Sequence, residues 1–127
     1  MEKYYNALKV RIMKPDSESA AHHLGIALQV RGLKRLAAAS FRDAIRLGTA
    51  KSGAEFRHES LAHLGLILAQ EDRWQEALDV LDEAYRANPD DKTNANNYAV
   101  AKQKLQQEKF FIIMAILNIV MTLALWL

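Results

Sequence analysis

The sequence predicts an all-α protein, a body of helical hairpins stacked as an α-solenoid and followed by a C-terminal transmembrane helix. Three observations predict it. All 17 basic and all 15 acidic residues lie before position 110, and the last 18 residues, FFIIMAILNIVMTLALWL, carry no charged side chain. The body, 1–109, is rich in Ala, Leu, Arg and Glu, contains only Pro15 and Pro89, and has no stretch that alternates like a strand. Shifted by 40 residues, the body also matches itself. The 127 residues suffice for one small domain, and the absence of Cys excludes disulfides, thiolate metal sites and a cysteine nucleophile.

Helices are expected at about 3–13, 17–31, 34–47, 53–70, 73–87 and 91–109, the last running on toward the membrane. The first, in MEKYYNALKVRIMK, has no apolar core of the kind that a secretory leader needs. Gly32 and Gly48 follow helical patterns, where a left-handed C-cap suits glycine. Ser52-Gly53-Ala54-Glu55 has capping-box spacing, with side-chain oxygens placed to satisfy free amides. Pro89 cannot continue a helix, and Asp90 or Asp91 can cap the next one.

The internal match orders the body. Leu24-Gly25 falls on Leu64-Gly65, Leu28 on Leu68, Ala37 on Ala77, Phe41 on Leu81, Ala44 on Ala84 and Ile45 on Tyr85. Small residues at Gly25, Ala37, Ala44, Gly65, Ala77 and Ala84 let two helices approach closely while the large residues fill the holes between them. This pattern resembles the tetratricopeptide repeat (TPR), a 34-residue helix–turn–helix unit. Counted so, 18–91 holds two units, 18–51 and 58–91, with 52–57 inserted between them. Pro89 stands where such a unit usually ends in proline; the first unit has Thr49 there, and Ala21 and Leu61 replace the usual first-helix tryptophan. Residues 1–17 resemble half a preceding unit through Tyr4, Ala7, Leu8 and Val10. Asn97-Tyr98-Ala99 resembles the first helix of a following one, and Lys102 on a normally apolar position makes 92–109 a capping helix.

The resemblance implies a concave groove, lined by the first helix of each unit, that binds a protein segment. Carried over by position, its residues are His22, Ile26, Gln29 and Val30, then Ala62, His63, Leu66 and Gln70, then Asn96, Asn97 and Val100. Some family members hold chaperone tails in a carboxylate clamp. Its positions here carry His22, Ile26, His63, Thr93 and Asn97, of which only Asn97 and a protonated His22 have suitable chemistry.

The apolar run 110–127 is a transmembrane candidate of roughly 27 Å. Phe110, Phe111 and Trp126 flank it as interfacial aromatics, and Lys102, Lys104 and Lys109 precede it, which orients the body to the cytoplasm. Asn118 and Thr122, one turn apart, are candidates for hydrogen bonds to a neighbouring membrane helix.

No catalytic signature stands out, and no cofactor or metal is expected. His58 and His63 are five apart, so they diverge by roughly 140° where a zinc helix needs two His four apart. Residues 1–57 carry net +6, 58–91 net −7 and 92–109 net +3. Arg35, Arg42 and Arg46 form one stripe, and Glu76, Asp79 and Glu83 form another on the matching helix; both suit solvated faces or polar docking. A net charge of +2 with no aromatic residue among the basic ones excludes nucleic acid as the expected partner. The function expected is therefore a single-pass, tail-anchored adaptor that recruits a protein partner to the cytoplasmic face of a membrane. The alternative is a small accessory or assembly subunit of a membrane protein complex, held by its transmembrane helix. The expected partners are protein, including such a complex, and membrane lipid, with no small-molecule substrate.

Overall fold

The turns show why the chain breaks where it does. A computed structural model describes residues 1–49 and 56–127. Its helices are α1 (Glu2–Met13), α2 (Glu18–Val30), α3 (Lys34–Thr49), α4 (Arg57–Gln70), α5 (Trp74–Ala87) and α6 (Lys92–Trp126), with no strand among the described residues. Ser17 caps α2, its hydroxyl accepting from the Ala20 amide at 3.1 Å. Gly32 ends that helix at φ +76°, a left-handed conformation that costs glycine nothing. Forty residues on, Asp72 adopts φ +58°. The hydrogen bonds repeat as well: Gly32 N to Gln29 O and Leu33 N to Leu28 O are matched by Asp72 N to Ala69 O and Arg73 N to Leu68 O. Asp91 caps α6, accepting from the Thr93 and Asn94 amides.

Two expected boundaries need correction or restriction. Gly48 does not end α3, which continues to Thr49 without a left-handed glycine there. Phe56 is the non-helical N-cap of α4, so that helix starts four residues later than the predicted 53; the capping box 52–55 lies outside the described residues.

Each helix packs on its neighbour in the chain, most closely α2 on α3 and α4 on α5, and α6 also touches α4. The small residues sit at the closest approaches. Ala37, Ala44, Ala77 and Ala84 are fully buried. A Cβ on Gly25 would lie 2.7–2.9 Å from the Phe41 ring, and one on Gly65 would lie 2.5 Å from Leu81 Cγ and Cδ2. Leu28, Phe41, Leu64, Ile67, Leu68, Leu81 and Ala101 form one core across α2–α6. Burying each large apolar side chain contributes about 1.5–3 kcal/mol.

The capping helix and the apolar run form one uninterrupted 35-residue helix, about 52 Å long. Its first third packs on α5, where Tyr98 stacks on Tyr85 at 5.3 Å and the buried Asn94 donates to the Ala84 carbonyl at 3.5 Å. Beyond Leu105 every residue is exposed. Among the described residues one helix is thus long and apolar enough to cross a membrane, and none of its most apolar window is buried by the body.

Candidate protein-binding surface

His22 is an interior residue. It is 1% exposed, and its ring lies between α2, α3 and α4, stacked on Phe56 at 4.8 Å and 5.8 Å from Phe41. Its Nδ1 is 2.8 Å from Ser60 Oγ and its Nε2 is 3.5 Å from a Glu59 oxygen. A ring protonated on Nε2 satisfies both, accepting from Ser60 and facing the carboxylate. The expectation that His22 lines an open groove is corrected accordingly: its partners close over it. His63 joins the same stack, parallel to Phe41 at 5.0 Å and 6.0 Å from His22. Glu18, also buried, accepts from the Phe56 amide at 2.9 Å. One carboxylate at the start of α2 therefore fixes the start of α4, 38 residues away.

Burial lowers the His22 pKa from 6.5 to about 4, and neighbouring His23, His63 and His58 push the same way. Burial also lowers that of His63, against the pull of Glu59. The consequence for stability has a definite sign. Unfolded His22 takes its proton near pH 6.5 and the folded ring resists it, so its contribution is complete above pH 6.5 and falls away between 6.5 and 4. The loss amounts to about 3 kcal/mol at the acid end. Urea unfolding at several pH values should show this slope, and His22→Gln should flatten it relative to the parent chain. An equal slope in the variant would remove His22 as the cause.

Six of the other ten predicted groove residues line one or other of two clefts. One, of about 480 Å³, lies between α1 and α2. Ile26 and the 82% exposed Val30 line it with Tyr4, Ala7 and Ala27, and Arg31 sits 4.8 Å over the Tyr4 ring. The other, of about 270 Å³, lies between α4 and α6 and includes Ala62, His63, Leu66 and Asn97 with Glu59 and Thr93. Gln29 is half-buried, while Gln70, Asn96 and Val100 are exposed; none of the four lines either cleft.

The α4–α6 cleft has unmet hydrogen-bonding capacity. His63 Nδ1 and Asn97 Nδ2 are buried atoms without a hydrogen-bond partner among the described residues. A buried amide donor left unpaired costs about 1–3 kcal/mol, and turning the Asn97 amide outward to a bound acceptor would recover a similar amount. Beside them Leu66 and Ala62 supply apolar contact. Such a mixture suits an extended polypeptide, whose carbonyls alternate with side chains. Thr93 and Asn97 were legible in the sequence by position; Glu59, which faces both His22 and this cleft, was not.

The acidic and basic stripes are partly internal to the fold. Arg57 pairs with Glu83 at 2.5 Å, Arg73 with Glu76, and Asp43 with both Arg11 at 3.4 Å and Arg46 at 3.5 Å. Among the described residues no three His, Cys, Asp or Glu side chains gather closely enough to hold a metal. In the apolar run, Thr122 donates to the Asn118 carbonyl at 2.8 Å, which satisfies its hydroxyl within its own helix; the Asn118 side chain is exposed. The chain matches no protein-family model, and no curated protein matches it.

Proposed function

We propose that this chain is a membrane-anchored, TPR-like adaptor that holds a segment of a partner protein at the cytoplasmic face of a membrane. The observation that carries the reading is the double role of α6. Its first turns wall the cleft that contains the unpaired Asn97 donor, and its last 18 residues are the uncharged apolar run. A ligand held at the cleft is thereby tethered to the bilayer, which makes its next encounter at the membrane effectively intramolecular. The forty-residue recurrence of turn geometry and of the Gly25–Phe41 and Gly65–Leu81 contacts supports the repeat reading. Lys102, Lys104 and Lys109 support the cytoplasmic orientation.

The second reading, an accessory or assembly subunit of a membrane complex, rests on Asn118. Its exposed amide lies in the middle of an apolar run, where a partner helix gives about 0.6–2 kcal/mol per hydrogen bond. Photoreactive residues at Leu66 and at Asn118, irradiated in native membranes, separate the two. The adaptor reading expects crosslinks from position 66 that Asn97→Ala weakens about tenfold, in line with loss of one buried hydrogen bond and its neighbours. Crosslinks from position 118 alone would replace it with the subunit reading.

A further inference from the structure

The face by which α6 packs on the body continues past the body's lower edge. Ala101 and Leu105 are the last covered residues on it, and Lys104, Glu108, Phe111, Ile112 and Ala115 follow along the same side at helical spacing. The α4–α5 turn reaches down to meet them. Asp72 and Trp74 close an open cleft of about 550 Å³ against that face, and Trp74 is half-buried there.

The lining changes character along the helix axis. Lys104, Gln107 and Glu108, with Asp72, form its polar upper part. Phe111, Ile112 and Ala115, with Trp74, form its apolar lower part, and the last charge on α6 is Lys109. The polar stretch from 104 to 109 spans about 7.5 Å of helix, close to the depth of one headgroup layer. A tryptophan at that level has an apolar body and a donor N–H, the combination favoured at a membrane interface. The cleft's apolar end is continuous with the run 110–127, so whatever solvates that run also reaches the cleft.

We infer that this cleft seats a bilayer phospholipid, with its headgroup beside Lys104, Glu108 and Asp72 and the start of an acyl chain between Trp74 and Ile112. The inference rests on the membrane-spanning reading of 110–127. It makes the α4–α5 turn a second contact with the membrane, so that the body rests on the bilayer surface instead of standing free on a stalk. Seated this way, the α4–α6 cleft is held at a fixed orientation to the membrane plane.

The test uses the full chain carrying Trp126→Phe, which leaves Trp74 as the sole tryptophan. The protein is reconstituted into phosphatidylcholine vesicles with or without bromine on the acyl chains, and flotation is measured on the same samples. The expected result is a blue-shifted Trp74 emission, quenched more by bromine near the glycerol than by bromine near the chain end. Ala115→Phe, which fills the lower end of the cleft, should reduce that quenching while flotation is unchanged. Water-like, unquenched emission from a protein that floats would overturn the inference and leave the membrane span intact. Blue-shifted but unquenched emission would also overturn it, because the body itself, or a second copy of the chain, would then shield the indole from lipid. Quenching unaffected by Ala115→Phe would overturn it too, as lipid would only graze the indole. A protein that fails to float would overturn the spanning reading itself.

Discussion

Phe41→Ala is expected to destabilise the body by about 3–5 kcal/mol, the range for removing a fully buried aromatic side chain. Phe41 is completely buried, lies under the bare backbone of Gly25, stacks on His63 and contacts the His22 ring's surroundings. It therefore joins α3 to both α2 and α4. Small domains are stable by only about 5–15 kcal/mol, so this one truncation removes a large share. The reciprocal change tests the same contact from the other side. Gly25→Val has no space to enter, because even a Cβ would stand 2.7 Å from the ring, and overpacking of this kind costs about 1–3 kcal/mol. The two substitutions together should cost less than their sum, with a coupling of about 0.5–3 kcal/mol, since the larger residue at 25 occupies part of the space left at 41. Denaturant titration in mild detergent, followed by circular dichroism, measures all three. A cost below about 1 kcal/mol for Phe41→Ala would show that the close packing between α2 and α3 is not a principal support of the fold.

Deleting 110–127 should change the protein's partitioning completely while leaving the body folded. The Phe, Ile, Leu and Val residues of that run supply about 3–7 kcal/mol of insertion free energy, taken at 0.3–0.6 kcal/mol each. No residue beyond Leu105 is covered by the body, so the truncated chain loses no core contact, only one wall of the cleft at Trp74. The full chain is expected to resist alkaline extraction from membranes, and the truncated chain to remain in the supernatant with a cooperative thermal transition. An aggregated or unfolded body after truncation would mean that the apolar run is structural filling for the hairpins and not a membrane segment.

Much of the architecture was readable from residue spacing. Gly32, Asp91 and Pro89 act locally: left-handed backbone, a capping carboxylate and a missing amide restrict the chain whatever surrounds them, and the structure has turns at each. The self-match at forty residues placed Gly25, Gly65 and four alanines at close approaches, because only a residue with little or no side chain fits there. Gly48 failed as a stop because a glycine in a helix is a modest cost, outweighed when the residues around it, Ala44 and Leu47, gain burial. Asp72 took the left-handed turn that Gly32 takes, although its own type does not demand it; the register of the two helices it joins does.

The site was less legible. His22, assigned to a groove by its position in the sequence match, was turned inward by partners far off in sequence: Ser60 38 residues away, with Phe56 stacked on the ring and Phe41 tilted against it. Glu18 and Asn94 likewise became buried links between helices. The sequence alone therefore determined the helical class, the hairpin order and the uncharged apolar terminus, since these follow from periodicity, small-residue spacing and local backbone chemistry. Only the tertiary structure decided which polar side chains are enclosed, which of the expected groove residues line a cleft, and that Trp74 stands beside the boundary between capping helix and apolar run. Those outcomes depend on which distant surfaces meet, and a polar residue's role is fixed by the partner it finds.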